Sequence, residues 1–387
     1  MKVLKLIGTL LALLILYLCF WPIDIDPIAW EPPVDSGLIG VYAPNTYLAD
    51  VEIFGIGDGI GPEDIDVDSE GRIYAPYEGG RIVRYDVDGK NPELFVDTGG
   101  RPLGLEFDAA GNLIICDAIK GLLSANPDGK ITTLATEANG VHFGLTDDVD
   151  IANNGIIYFS DASYHWAIKD YRSDIIEHVP YGRLIAYDPH TKESTVLLDD
   201  LYFANGVAVS TDQSFVLVNE TSEYRIQKVW ISGEKAGQSE ILMDNLPGIP
   251  DGISSNGKGI FWVAFPSKRK EILDNLAGKP FVRKMVMRLP ESMQPAPDRY
   301  GFIIGIDGEG NVIHNLQDPS PESFSPITSV EEHEGYLYLG TFWLYCSSVP
   351  TGNRGLAPMG YHVSPRVAAR LRAGGLSPPT QIGGCGF

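Results

Sequence analysis

Six short alternating segments of this chain each open on a residue at one equivalent register, and four of the six openers carry side chains of metal-ligand type. The openers are Glu63 (EDIDVD), Leu103 (LGLEFD), Asp147 (DDVDIA), Asn205 (NGVAVS), Asp251 (DGISSN) and Thr328 (TSVEEH). Two positions further on stands an apolar residue in every case: Ile65, Leu105, Val149, Val207, Ile253 and Val330. Side chains in a strand alternate with period two, so opener and apolar residue are expected on the same side of the strand. Each opener then holds a comparable place in its own repeat. If the six strands surround one axis, Glu63, Asp147, Asn205 and Asp251 converge on a single point.

The elements that would bring them there are legible in the spacing. The intervals between openers are 40, 44, 58, 46 and 77 residues, which fits one four-stranded blade per repeat with insertions in the third and fifth. Second strands follow Gly-centred turns in EGRIYAPYE, AGNLIICDA, NGIIYFSDA and EGYLYLGTF, and third strands follow in GRIVRYDVDGK, KGLLSANPDGK, GRLIAYDPHTK and YRIQKVWISGE. Turn residues leading into β-branched and aromatic alternation read as hairpins. The fold class is therefore all-β, a six-bladed β-propeller. A β-sandwich would not repeat the same strand-turn-strand text at this period. Helix is expected only at 269–298, inside the fifth repeat, where Leu273, Leu276, Val282, Met285, Met287 and Leu289 could form a lid over one mouth.

Residues 1–22 read as a signal anchor. Lys2 and Lys5 precede an apolar run from Leu6 to Trp21, about 24 Å as a helix at ~1.5 Å per residue, with Tyr17, Phe20 and Trp21 suited to the membrane interface. The exit offers no small-residue cleavage site, so the segment is expected to remain as a single-pass anchor with a cytoplasmic N-terminus and a periplasmic, lumenal or extracellular propeller. The propeller is placed at 31–345. Residues 353–387 form an atypical tail: from Arg354 on it has Arg366, Arg370 and Arg372 but no Asp or Glu, and it is expected to be disordered. A net charge of −22 argues against a nucleic-acid partner, which needs clustered Lys and Arg. The four cysteines show no zinc or disulfide spacing, and Cys116 reads as a core thiol.

The motifs Gly-Pro-Glu63-Asp, RPLGLEFDAAGNL, TDD followed by GIIYFSDAS, YFANGVAVS and LPGIPDGI, taken in order, resemble the strictosidine synthase-like proteins. That group includes the adipocyte plasma membrane-associated proteins and belongs to the wider six-bladed set of gluconolactonase, senescence marker protein and the paraoxonases. The resemblance runs from about Glu31 to about Gly340. It implies a Ca²⁺-dependent, or other divalent-metal-dependent, hydrolase of lactones or aryl esters, with the metal at the floor of the central tunnel. It puts the metal ligands on Glu63, Asn205 and Asp251, with Asp147 where the paraoxonases and gluconolactonases usually carry Asn. Three carboxylates and one amide oxygen make a hard site suited to Ca²⁺.

In such an enzyme the substrate carbonyl meets the cation while a carboxylate acts as base or nucleophile. Asp251 is the first choice for that carboxylate and Asp148 the second, the alternative for Asp148 being a strand-start residue that bonds nearby backbone N–H groups. His142 is a third candidate, near enough in sequence to reach the tunnel mouth; its alternative is a surface residue. The paraoxonase His dyad is not evident, since Leu103 occupies one of its positions. Strictosidine synthase-type condensation is disfavoured, because Thr328 stands where that enzyme has its glutamate base. The rival reading from another class is a non-catalytic propeller that keeps a metal for stability and binds partners through one face.

Overall fold

The computed structural model describes residues 2–55, 59–342 and 368–372. Among them are six four-stranded antiparallel sheets. The innermost strands are Asp66–Val67, Pro102–Phe107, Thr146–Ile151, Ala204–Val209, Ile253–Ser255 and Val330–His333, one in each expected repeat. Five blades are contiguous in sequence. The sixth is composite: Val330–His333 pairs with Tyr336–Leu339, then Ala368–Arg372, and the outermost strand is Glu52–Phe54 from the opposite end of the chain. The ring is thereby closed by strands from both ends.

That closure corrects the reading of 353–387 as a tail outside the propeller. Alternating Ala369 and Leu371 supply the apolar face of a strand, and Ala369 is fully buried against Leu337 and Leu339. Arg370 pairs its guanidinium with Glu52 at 2.9 Å, tying the third strand to the fourth. The other residues of 353–387, with Cys346 and Cys385, lie outside the described residues.

The core is not one mass but six apolar clusters, one in each gap between neighbouring blades. Ile65, Leu105, Val149, Val207, Ile253 and Val330 each sit in one of them. Their openers do not. Between Pro102 and Leu105, Thr146 and Val149, and Ala204 and Val207 the pairing register slips, and a bulge of this kind re-aims the side chain it carries. Strict alternation therefore fails at the openers of these three blades: the apolar residue stays in the gap, while the bulge frees Asp147 and Asn205 to turn toward the axis.

Helix α1 (Lys2–Phe20) has no buried residue and meets the fifth-repeat insertion at its C-terminal end, where Tyr17 Oη donates to the Arg288 carbonyl at 3.0 Å. The expected helical insertion divides into α3 (Glu271–Ala277) and α4 (Pro280–Met287), broken at Gly278 and restarted by Pro280 in the first turn. A further helix, α2 (Tyr171–Glu177), was not expected. It occupies the extra length of the third repeat and covers a small cluster that includes Leu103, Leu145 and Phe203. The blade-two opener is thus the floor under a helix, not a donor.

Where two inner strands approach most closely, side chains are excluded. A Cβ on Gly206 would lie 2.3 Å from the Ile253 nitrogen and 2.5 Å from the Asp251 oxygen, and the Gly206 N–H donates to that oxygen at 3.0 Å. Gly206→Ala is expected to cost about 1–3 kcal/mol through forced backbone displacement, read from denaturant midpoints. An unchanged midpoint would show that blades four and five do not pack as described.

Candidate metal centre

The upper half of the tunnel is built from openers. Asn205 donates its amide nitrogen to Asp251 Oδ1 across the gap between blades four and five. Asp251 is held from behind: Asn219 Nδ2 donates to its carbonyl at 2.6 Å, and Thr221 Oγ1 donates to the Pro250 carbonyl at 2.8 Å. Glu63 follows from blade one, and Thr328 Oγ1 donates to its carbonyl at 2.6 Å. Asp147 enters from blade three, next to Thr146, whose hydroxyl donates to the Asp117 carbonyl at 2.6 Å. Asp147, Asn205 and Asp251 are all less than a tenth exposed.

These carboxylates feel one another. Burial pushes Glu63 up to about 7, with Arg101 opposing the rise and Asp64 adding to it. Burial and then the charge of Glu63 hold Asp147 well above the usual carboxylate range, and burial followed by Glu63 and Asp147 does the same to Asp251. Like charges enclosed away from water resist ionising together. Glu63 Oε2 is enclosed without any hydrogen-bond partner. Among the described residues, however, no three Asp, Glu, His or Cys side chains lie close enough to form a finished metal cage. The expected convergence on a single point is therefore looser than a coordination shell.

Arg101 was not singled out in sequence. It is buried, its Nη1 donates to the Pro102 carbonyl at 3.0 Å, and its guanidinium carbon lies 5.2 Å from the Phe342 ring centre. Glu63, Glu78, Asp117 and Asp147 all act on it. Tyr171, the first residue of α2, faces Phe342 at 5.8 Å between ring centres. Its hydroxyl is pushed up to about 12 by burial, with the charges of Glu63 and Asp251 contributing. Phe342 therefore bridges Arg101 and Tyr171 above the openers. Signals for both existed: Arg101 begins the RPLG motif, and Tyr171 lies in the insertion of the long third repeat.

The donor set fits a divalent cation by charge. Glu63, Asp147 and Asp251 with Arg101 leave two negative charges when all are ionised, and an unpartnered buried oxygen on Glu63 is an acceptor with no protein donor to satisfy it. Residues of this type, all oxygen donors, suit Ca²⁺.

Two proposed proton-transfer groups are not brought to this place. Asp148 accepts from Val149 N at 2.9 Å through Oδ1 and from Val207 N at 2.8 Å through Oδ2, the strand-start alternative. His142 is a correction: its side chain is 80% exposed beside Glu137, on a hairpin of Glu137–Ala138 with Val141–His142 outside the blades. Asn219, in an Asn-x-Thr sequon, is fully buried against Asp251 and presents no acceptor surface for a glycan. Cys116 is a core thiol as expected, its Sγ 3.5 Å from the Asp148 carbonyl.

Below the openers lies a second set of carboxylates, of which only Asp148 was singled out in sequence. Asp64, Glu106, Asp148, Asp150 and Glu331 line a cavity of about 350 Å³. Burial raises Asp64 to about 6, Asp66 to about 8 and Asp150 to about 7, and holds Glu106 and Glu331 well above their usual range. The signal was the alternating Asp of EDIDVD and DDVDIA.

A raised carboxylate pKa means that the folded chain binds protons which the unfolded chain releases. Stability from these groups is thus full below their unfolded values near 4 and is lost as pH rises through the folded values of about 6 to about 8. In excess chelator the melting temperature is expected to fall between pH 5.5 and 8.5. A flat or rising profile in scanning calorimetry would contradict this charge arrangement.

Comparisons with known proteins agree with the fold and the motifs. The strictosidine synthase family profile matches residues 147–234, and the strictosidine synthase-like N-terminal profile matches 40–85. Protein STRICTOSIDINE SYNTHASE-LIKE 6 of Arabidopsis thaliana is 39% identical over 304 residues, covering 77% of this chain and 80% of the relative. The adipocyte plasma membrane-associated protein of Rattus norvegicus is 36% identical over 344 residues, covering 83% and 90%. A gluconolactonase from Xanthomonas campestris superposes with a TM-score of 0.56 at 14% identity, over 90% of this chain and 98% of that one, a likeness of fold. Glu63, Asp147 and Asn205 lie within the two profile matches, and the chain belongs to the strictosidine synthase-like family.

Proposed function

We propose that the chain is a membrane-anchored, Ca²⁺-dependent hydrolase of lactones or aryl esters, acting at the upper end of the propeller tunnel. The observation that carries this reading is the uncompensated charge at the openers together with the orphaned Glu63 Oε2. Glu63, Asp147, Asn205 and Asp251 would hold the cation, and the cation would supply Lewis acidity toward a carbonyl oxygen. Asp251 would accept the proton of the attacking water as the water oxygen adds to the carbonyl, and would return it to the departing alkoxide or phenoxide oxygen. Asn205 fixes the Asp251 carboxylate through Oδ1, and Asn219 fixes its backbone. Arg101 offers a buried guanidinium to an oxygen of the substrate, and the Tyr171–Phe342 wall shields the site from bulk water. Condensation of the strictosidine synthase type has no base here: the Thr328 hydroxyl is spent on the Glu63 carbonyl.

One observation favours the second reading, a non-catalytic propeller stabilised by the cation. Asp148 is engaged with backbone and His142 lies at the surface, which leaves Asp251 to serve as ligand and base together. The two readings part at Asp251→Asn. A hydrolase loses roughly 10²–10⁴-fold in turnover on phenyl acetate and γ- or δ-lactones while metal binding weakens far less. Chelation should lower the melting temperature under both readings by mass action, and should abolish hydrolysis only under the first. Wild-type protein inactive on every ester and lactone offered, or an Asp251→Asn variant as active as wild type, would count against hydrolysis through this residue.

The anchor reading sets the orientation. Helix α1 is long and apolar enough to cross a bilayer, and Lys2 and Lys5 at its start support a cytoplasmic N-terminus by the positive-inside rule. Protease added to intact cells or spheroplasts should cleave within the propeller. Complete protection together with a soluble cytosolic pool would refute that orientation.

A further inference from the structure

Above the tunnel mouth, α2, α3, α4 and the segment 291–297 enclose a cavity of about 470 Å³. This is within the roughly 300–1,000 Å³ typical of small-molecule sites. Its walls are mostly apolar: Ile175 of α2, Leu273 of α3, Val286 and Met287 of α4, and Pro295. Charged groups stay at the rim, where Arg172 pairs with Glu291 at 2.9 Å and donates to the Pro295 carbonyl at 2.9 Å. Tyr171 also lines this cavity, and through it the cavity adjoins the axial site, because Tyr171 senses Glu63 and Asp251 and packs on Phe342.

The same canopy is joined to the anchor. Arg288, the residue after Met287, donates from Nη1 to the Leu18 carbonyl at 2.9 Å and from Nε to the Trp21 carbonyl at 2.6 Å. Tyr17 Oη donates back to the Arg288 carbonyl at 3.0 Å. The wall of the cavity thus ends one residue from the contact with the C-terminal end of α1. Phe281 of α4 is 54% exposed and Met293 is 65% exposed, apolar surface that a membrane interface would cover.

We propose that this cavity binds the alkyl or acyl tail of an amphipathic ester or lactone taken from the bilayer, with the polar head directed past Tyr171 to the axial carboxylates. The canopy is then the specificity element and the membrane is the source of substrate. The identity of the head group rests on the hydrolase reading; the binding of the tail does not. Each methylene moved from water into such a cavity strengthens binding by about two- to fourfold, so preference should climb with chain length until the cavity is filled.

The test uses the full chain reconstituted in phosphatidylcholine vesicles containing an anionic lipid. The probe is a dodecyl ether bearing a diazirine, which cannot be hydrolysed, so that labelling is independent of activity. Irradiation is expected to label peptides spanning 171–176 and 286–297, excess unlabelled dodecyl ether to protect them, and a butyl analogue to label at least tenfold less. Val286→Trp should reduce labelling at least tenfold, with Ile175→Trp as the second variant and protection in the wild type as the measurement that needs no variant. Labelling elsewhere only, or labelling unaffected by competitor and by chain length, would overturn the proposal. Hydrolysis of aryl esters from acetate to decanoate is followed in parallel. Short esters cleaved with no labelled cavity would overturn this inference and leave the hydrolase reading; a labelled cavity with no ester cleaved would support the tail site and count against hydrolysis.

Discussion

The inner strand of every blade is an edge strand, and the backbone groups on its axial side have no partner within its own sheet. Buried backbone donors left unpaired are costly, and six such edges meet around one tunnel. Two of the gaps are settled by carboxylates. Asp64 and Asp66 of blade one accept from Leu105 N at 2.9 Å and Phe107 N at 2.8 Å in blade two, and Asp148 and Asp150 of blade three accept from Val207 N at 2.8 Å and Val209 N at 2.6 Å in blade four. Other gaps use backbone contact: Gly206 N reaches the Asp251 carbonyl at 3.0 Å and Gly252 N the Thr328 carbonyl at 2.8 Å. Between blades six and one, Thr328 Oγ1 bonds the Glu63 carbonyl and Thr341 N bonds the Pro62 carbonyl at 2.7 Å.

This manner of closing the ring has an electrostatic consequence. Acids that satisfy edge N–H groups also fill a narrow enclosed volume with negative charge, so that each raises the pKa of the next. The tunnel must then hold protons, a cation, or both. Arg101 offsets part of the charge at the upper end, beside Glu63 and Asp147. At the lower end the backbone N–H groups are the compensating dipoles. The division explains why the upper openers are the candidate ligands: Glu63 keeps an oxygen without a donor, whereas Asp148, one residue from a candidate ligand, has both oxygens committed.

What the sequence disclosed follows the same physics. The period of the repeats, the interblade apolar residues and the helical insertion at 269–298 are local patterns, and all are present in the fold. The openers were found by register, but their direction depends on bulges in blades two, three and four, which leave no distinct trace in an alternating text. Ala368–Arg372 was hidden because a strand of five residues in an unusual composition acquires its place by pairing with Tyr336–Leu339 on one side and, on the other, with Glu52–Phe54, more than three hundred positions away. Arg101 and Tyr171 were missed for a similar reason: one long side chain and one insertion helix meet at Phe342 only when the ring is closed. His142 misled because nearness in sequence to Asp147 is undone by a hairpin that carries it outward.

The route from anchor to propeller is itself a structural element. After Trp21, the Asp26 N–H donates to Glu177 Oε1 at 2.6 Å, the Ile28 N–H donates to the Glu177 carbonyl at 2.9 Å, and Trp30 stacks on His178 at 4.0 Å. Arg283 of α4 reaches both the Ile176 and the Ile28 carbonyls, while Lys284 pairs with Asp26 at 2.8 Å. A free linker would let the propeller tumble relative to α1. This one is stitched to α2 and α4 along its length, so the helices that roof the tunnel mouth are the same ones that receive the chain from α1. Orientation of the mouth is therefore coupled to orientation of α1, and the long insertions of the third and fifth repeats acquire a common physical purpose: they convert a symmetric propeller face into one with a fixed relation to the apolar helix.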